Sequence, residues 1–118
     1  MLVTTTPYAA GWRVVEVKGH VFGLVVRSRG LGGNIMAGLR SLGGGEIKEY
    51  TSLLEDTRRQ AMDRMVQNAT LMGANAVLSM RFDSTELANT MSEIVAYGTA
   101  VVLVADAAAP PPPPAMTE

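Results

Sequence analysis

The chain contains no cysteine, which excludes disulfides and thiolate metal ligands and leaves no clue to the redox compartment. It has one histidine, and aromatic residues make up 5% of it. Charged residues make up 18%, below the roughly 25% that is usual in globular domains. Because few charged side chains are available to cover the outside, this composition favours a subunit whose surface is partly covered by copies of itself.

A strong net charge and long hydrophobic runs are also absent. The net charge is −1, so no global field attracts nucleic acid or acidic lipid. The N-terminal segment lacks the basic and apolar parts of a secretory signal. The longest apolar-rich run, Ile94 to Ala105, is too short to cross a membrane as a helix. We therefore expect a soluble, cytoplasmic protein with no membrane partner.

A long amphipathic helix is the central predicted element. It is expected from about Glu46 to Met72, after the glycines at 43–45, and Gly73 is expected to end it as a left-handed cap. Its apolar positions spread over more than half of the circumference, whereas an ordinary surface helix needs a stripe of only about 100°. The helix is therefore predicted to contact both its own sheet and a neighbouring subunit.

One cation interrupts this apolar arc. Arg58 cannot lose its charge, so a buried Arg58 would need a carboxylate or carbonyl partner. Glu46 and Glu93 are the candidate partners. The simpler interpretation is a structural ion pair, or an arginine whose stem lies along the helix. A role at an interface or with a ligand is the alternative.

The remaining segments up to residue 104 are mostly predicted as β-strands. Leu2–Thr6 is expected at a sheet edge, ended by Pro7. Trp12–Val26 is a strand with a bend or bulge at its glycines, or else a hairpin around residues 18–20. In this segment four residues share one parity and predict one apolar face: Val15, Val17, Val21 and Val25.

Two further strands are predicted after the helix. Ala76–Asp83 alternates, with Ala76, Leu78, Met80 and Phe82 on one face. A polar turn or loose hairpin is expected at 84–90, and Met91–Val104 is the last strand. From Ile94 onward both parities of this strand are apolar, which predicts burial on both sides. Since one helix covers only one face, the other face is predicted to meet another copy or to lie at an interface.

The glycine-rich segment from Arg27 to Gly45 is basic. Arg27, Arg29 and Arg40 are candidates for binding an anion or a nucleotide, although the segment lacks both the dinucleotide and the P-loop patterns. A solvated basic loop is the simpler interpretation. In an assembly of several copies such loops would form a larger basic surface, which keeps nucleic acid as a minor possibility.

Metal and catalytic signatures are weak. A structural zinc site needs about four ligands, and the chain offers His20 with acids that only folding or symmetry could bring to it: Asp83, Glu86 and Glu93. Packing accounts for methionines on predicted core faces better than a copper site does. No nucleophile lies at a telling distance from a base. We therefore predict a protein that is not an enzyme, with a divalent metal as a weakly supported cofactor.

The chain divides into a single domain at 1–105 and a proline-rich tail at 106–118. The tail contains five consecutive prolines, which adopt an extended polyproline II form and cannot enter a core. A disordered tail is the simpler expectation. Docking to a proline-reading partner is the alternative.

Four sequence blocks together resemble the YbjQ-like family over about residues 2–104. They occur in the expected order and at the expected separations: Gly19-His20-Val21-Phe22-Gly23, then Gly44-Gly45-Glu46 with Tyr50, Arg58 and Ala61, then Gly73-Ala74-Asn75-Ala76-Val77, and Tyr97-Gly98-Thr99-Ala100-Val101. The family carries a heavy-metal-binding label and has no established reaction.

This resemblance implies an α+β fold, a small β-α-β-β subunit with a mostly antiparallel sheet on one long helix, in a dodecin-like architecture. It further implies ring-shaped homo-oligomers, pentamers or stacked pentamers. Four family positions become candidates for structural or interface roles: Glu46, Tyr50, Arg58 and Tyr97. We expect a self-assembling scaffold or a store for a small ligand, with a metal-binding or metal-responsive protein as the alternative.

Overall fold

The computed structural model describes residues 1–28, 48–88 and 91–107, without the side chains of residues 28, 48–50 and 87–88. Its elements are β1 (Leu2–Val3), β2 (Trp12–Ser28), the helix α1 (Lys48–Leu71), β3 (Ala76–Ala88) and β4 (Met91–Ala105). The sheet has the order β1-β3-β4-β2. β1 runs parallel to β3, and the other pairs are antiparallel. The predicted α+β class, with a mostly antiparallel sheet against one long helix, is confirmed.

The end of α1 follows the prediction. Gly73 adopts φ 85°, and its N–H donates to the Thr70 carbonyl at 3.0 Å. A residue without a side chain takes this left-handed conformation at little cost, so Gly73 closes the helix. The predicted glycine entry and Glu46 lie outside the described residues.

α1 packs on the sheet through a stripe of mostly small side chains. Ala61, Met65 and Ala69 are fully buried. They form one core cluster with Val21 and Val25 of β2 and with three residues of β4: Ile94, Ala96 and Ala100. Alanines on both sides of this contact let the helix approach the sheet closely. Full burial of a side chain as large as Met65 stabilises the fold by about 1.5–3 kcal/mol.

β2 is one continuous strand, so the alternative of a hairpin around residues 18–20 is wrong. Two register shifts, between Val14 and Glu16 and between Val17 and Gly19, each add one residue to β2. The first added residue exchanges the faces to which successive side chains of β2 point, and the second added residue restores the original assignment. Val21 and Val25 therefore face α1 as predicted, whereas Val15 and Val17 are 48% and 64% exposed and do not join that face.

The first of two register shifts in β3 overturns the predicted alternation of that strand. The register shifts between Leu78 and Arg81, where Ser79 takes φ 54°. As a result Ala76 and Leu78 belong to a second buried cluster with Val101 and Leu103 of β4. Met80, beyond the bulge, packs in the cluster under α1. The four residues predicted on one face are thus divided between both faces.

The hairpin of β3 and β4 is longer than predicted. β3 continues to Ala88 instead of ending at Asp83, and Thr85 pairs with Glu93 in the register. The polar side chains after Asp83 therefore belong to a strand and not to a turn. In β4, residues on both sides of the strand are buried, as predicted: Ala96 and Ala100 under α1, and Val101 and Leu103 on the opposite side.

The predicted edge strand at the N-terminus is confirmed, although β1 itself comprises only Leu2–Val3. Backbone hydrogen bonds continue the contact beyond it. The Thr4 N–H donates to the Val77 carbonyl, and the N–H groups of Ser79 and Met80 donate to the carbonyls of Thr6 and Thr4, all at 2.9 Å. The N-terminal segment thus follows β3 around its bulge.

Candidate functional site

The face of the sheet turned away from α1, called the outer face below, carries the candidate site. Side chains of paired residues in antiparallel strands point to the same side, so the register assigns the face. β2 contributes Trp12, Val14, Val17, His20, Phe22, Leu24 and Val26; β4 contributes Glu93, Val95, Tyr97, Thr99, Val101 and Leu103; β3 contributes Ala76, Leu78, Arg81 and Asp83.

Most of the outer face along β2 is apolar and uncovered. Phe22 is 50% exposed, Leu24 37% and Val26 47%. One region of the outer face is covered, where Ala9 of the N-terminal turn packs against the cluster of Ala76, Leu78, Val101 and Leu103. Exposed apolar surfaces of this kind are typical of sites where proteins associate.

A row of paired residues with two polar members crosses the middle of this face. Phe22, Tyr97 and Arg81 are neighbours in the register of the three strands. Partial burial raises the pKa of the Tyr97 hydroxyl, and the charge of Asp83 and its hydrogen bond with Tyr97 raise it further, against a lowering effect of Arg81. Tyr97 therefore stays protonated and donates to the Asp83 carboxylate.

Arg81 of this row and His20 beside it also make other contacts. The Arg81 guanidinium donates to the Thr5 carbonyl at 2.9 Å and to the Met80 carbonyl at 2.8 Å, which ties the N-terminal segment to β3. The ring centroids of His20 and Phe22 lie 5.5 Å apart. His20 is thus part of an aromatic pair on the exposed face, next to the apolar residues.

The Gly19–Gly23 block, which carries part of the family resemblance, positions α1 against β2. A Cβ at Gly23 would overlap the backbone of α1 at Ala61 and Met65. At this crossing the Asn68 amide donates to the Phe22 carbonyl at 2.8 Å, and the Arg64 guanidinium donates to the Leu24 carbonyl. Gly19 has a different role, because it takes φ 121° beside the second bulge of β2.

Arg58 lies on the exposed part of α1, so it is not buried as the ion-pair interpretation required. Its candidate partner Glu46 lies outside the described residues. Its guanidinium lies 5.2 Å from the centroid of the Phe82 ring, a cation–π contact. Phe82 packs on the α1 side of the sheet, whereas the register places Glu93 on the outer face. Arg58 and Glu93 therefore cannot meet within one chain.

The other candidate residues are placed only in part. Glu46, Arg29 and Arg40 lie outside the described residues, as does the side chain of Tyr50. Arg27 contacts the Asp56 carboxylate at 3.6 Å, which offsets the charge that would attract an anion. Because Arg29 and Arg40 lie outside the described residues, anion or nucleotide binding by these three arginines stays a prediction.

The described residues do not fit a bound metal. Within residues 1–28, 48–88 and 91–107, no group of three or more histidine, aspartate or glutamate side chains could hold an ion. His20 is on β2 in register with Thr99, and its aromatic partner is Phe22.

In the same described ranges, no helix is both long enough and apolar enough to cross a membrane.

Some positioning residues were not anticipated from the sequence. The Asn75 amide donates to the Leu103 carbonyl at 2.9 Å and accepts from the Leu103 N–H at 2.7 Å. It thereby continues the pairing of β3 with β4 one step beyond Ala76 and Val101. Arg64 and Asn68 were also missed, because their partners are distant in sequence. Asp83 was considered only as a metal ligand, and its contact with Tyr97 was not anticipated.

The fold and the exposed face define a class of protein, a small α+β subunit whose sheet is covered by a helix on one side and is largely open on the other. The chain belongs to the YbjQ-like family, whose model is described as "Putative heavy-metal-binding" and matches residues 1–104. This confirms the resemblance seen in the four sequence blocks.

Curated relatives agree with this family. A UPF0145 protein of Bradyrhizobium sp. (strain ORS 278) is 62% identical over 103 residues, covering 87% of this chain and 93% of that protein. A UPF0145 protein of Sulfurisphaera tokodaii is 60% identical over 103 residues, covering 87% and 90%. These names state no reaction, and nothing in them points to catalysis.

A solved structure has a similar fold. The crystal structure of a DUF74-family protein of unknown function from Pediococcus pentosaceus matches with a TM-score of 0.57, and the match covers 88% of this chain and 98% of that one. The sequence identity is 14%, so the similarity concerns the fold alone.

Proposed function

We propose that this chain is the subunit of a self-assembling homo-oligomer, a ring of the dodecin-like kind built as a pentamer or as stacked pentamers. Such an assembly acts as a scaffold or as a store for a small ligand, and it needs no catalytic residues. The observation that carries the proposal is the outer face, where Phe22, Leu24 and Val26 form an exposed apolar row. Exposed apolar patches on soluble proteins mark sites of association.

A second apolar surface on α1 favours a ring. Leu53 and Leu54 are 44% and 41% exposed, and Leu71 is 86% exposed. These leucines are on the helix layer, whereas Phe22 and Leu24 are on the opposite face of the sheet. Two unlike surfaces suit head-to-tail contacts between subunits, and such contacts close into rings when the rotation between neighbours allows it.

The proposal is tested by measuring the mass of the assembly with native mass spectrometry and with light scattering. The double variant Phe22→Lys and Leu24→Lys places two charges on the outer face, and we expect it to dissociate to smaller species. The double variant Thr5→Lys and Ser84→Lys adds the same charges at exposed positions outside both apolar surfaces and is expected to keep the wild-type mass.

Two outcomes would count against the proposal. A wild-type chain that is monomeric at micromolar concentration would reject self-assembly altogether. An unchanged mass of the Phe22 and Leu24 variant, with its fold intact by circular dichroism, would show that the outer face is not where the subunits meet.

A further inference from the structure

Two exposed aromatic side chains lie where the chain leaves the sheet at its C-terminal end. Tyr8 is 67% exposed and Trp12 is 42% exposed. Trp12 pairs in register with Ala105, the last residue of β4. The Asp106 N–H then donates to the Gly11 carbonyl at 3.0 Å, so the departing chain is fixed beside the turn that connects these aromatics.

The sequence that follows brings a run of prolines to this place. Pro110 to Pro114 begins three residues after Ala107, a distance of at most about 10 Å for an extended chain. Five residues in a polyproline II conformation span about 15 Å. The short connection keeps the prolines at a high effective concentration, of millimolar order, near Tyr8 and Trp12.

The chemistry of the two partners matches. A proline run is already restricted in conformation, so it loses little entropy on binding, and aromatic surfaces are the usual sites that receive it. Proline residues carry carbonyl acceptors and no N–H donors. Trp12 and Tyr8 offer flat apolar rings together with an indole N–H and a hydroxyl that can donate to such carbonyls.

We propose that residues 110–114 dock on Tyr8 and Trp12 of the same chain, so that the protein carries its own proline-reading surface. The docked segment covers the Trp12 end of the outer face and leaves the row of Phe22, Leu24 and Val26 open. This inference stands apart from the proposed self-assembly, because it rests on different residues and on an intramolecular contact.

Trp12 is the single tryptophan of the chain, so its fluorescence reports on this contact directly. We compare the full chain with a variant of equal length in which each proline from Pro110 to Pro114 is replaced by serine. In the full chain we expect emission at shorter wavelength and an acrylamide quenching constant at least twofold lower. A synthetic peptide of residues 106–118 at millimolar concentration should partly restore the protection of the serine variant.

Equal emission and equal quenching of the two chains would overturn the proposal. Because the substitutions lie outside the described strands and helix, unchanged circular dichroism provides the control for folding. The variant Tyr8→Ala in the full chain should weaken the protection of Trp12. A Tyr8→Ala chain with full protection would contradict the proposed site.

Shielding of Trp12 by another copy has a different signature. Protection by the same chain is independent of protein concentration, whereas protection by a copy falls on dilution. The serine variant is also mixed and reassembled with a Trp12→Phe chain that retains its prolines. If Trp12 of the serine variant then becomes protected, the tail of a neighbouring subunit is the occupant and the same-chain proposal is wrong.

Discussion

At the scale of single residues, Gly23 sets how closely the helix can approach β2. A methyl group there would overlap the backbone of α1 at Ala61 and Met65, and backbone cannot rotate away as a flexible side chain can. We predict that Gly23→Ala lowers the free energy of unfolding by about 3 kcal/mol or more. Urea unfolding followed by circular dichroism measures this loss.

Gly19 provides the control for this prediction. A Cβ at Gly19 would meet no atom within 4 Å. Gly19→Ala should therefore lower the free energy of unfolding only because of the positive φ, by about 1–2 kcal/mol. The prediction fails if Gly23→Ala is the milder of the two substitutions, since that would mean that α1 can move off β2 without loss.

Arg58 is expected to stabilise the fold through its contact with the Phe82 ring. Arg58→Ala should lower the free energy of unfolding by about 0.5–1 kcal/mol, the value of an exposed cation–π contact. In a Phe82→Leu background the same substitution should cost less, and the double-mutant cycle isolates the contact. A loss of about 3 kcal/mol would instead indicate a buried ion pair, made with a neighbouring subunit.

Tyr97 makes the stability of the folded protein depend on pH in the alkaline range. Because its pKa is raised above the ordinary value of 10.0, the folded state holds the hydroxyl proton more tightly than the unfolded state does. The resulting stabilisation is complete below pH 10.0 and is lost as the pH rises through the folded pKa. Asp83→Asn removes a charge and an acceptor and should bring this pKa closer to its ordinary value.

The test is a titration of tyrosinate absorbance in a Tyr8→Phe and Tyr50→Phe background, which leaves Tyr97 as the single tyrosine. Urea unfolding at neutral and alkaline pH provides the second measurement. An identical Tyr97 titration with and without Asp83 would contradict the hydrogen bond between them.

At the scale of elements, α1 protects the exposed edge of β2. Arg64 and Asn68 donate to the carbonyls of Leu24 and Phe22, and β2 is an outermost strand of the sheet. Unpaired edges invite pairing with other chains. We predict that Arg64→Ala with Asn68→Ala increases association through this edge, measured as light scattering and thioflavin fluorescence during incubation.

The matched control is Arg59→Ala with Gln67→Ala, two exposed positions on the same helix. This pair changes the charge by the same amount and leaves the β2 carbonyls covered. Equal rates of association for both double variants would show that edge protection by Arg64 and Asn68 is not what keeps the chains apart.

The elements themselves were predictable to a large degree from the sequence. The helix, its Gly73 cap and the position of each strand follow from periodicity and from local backbone preferences. The faces were predicted less well, because a bulge such as that at Ser79 depends on the neighbouring strand and leaves no mark in the local pattern. Tyr97 was a candidate through the family resemblance, but its hydrogen bond with Asp83 was missed, since these two residues meet only through the register of β3 with β4.

At the scale of the whole molecule, assembly and folding should be coupled. If copies cover the outer face only when folded, mass action stabilises the folded state as protein concentration rises. We predict that Tm increases by a few degrees for each tenfold rise in concentration, which corresponds to at most about 1.4 kcal/mol per subunit. The Phe22→Lys and Leu24→Lys variant should lose this dependence.

Calorimetry over a hundredfold range of concentration checks this expectation. The Thr5→Lys and Ser84→Lys chain should behave as the wild type does. A wild-type Tm that is constant over that range would show that assembly does not stabilise the folded state. It would also count against contact between the exposed apolar row and another copy of the chain.

The bulges restrict how these strands can change length during evolution. In β2 the two added residues cancel, so deleting both would keep Phe22 and Val21 on their present sides, whereas deleting one would exchange the two faces over part of the strand. In β3, loss of Ser79 alone would bring Arg81 and Asp83 under the helix or push Ala76 and Leu78 there. Insertions and deletions in these strands are therefore expected to persist in compensating pairs, much as a second frameshift restores a reading frame.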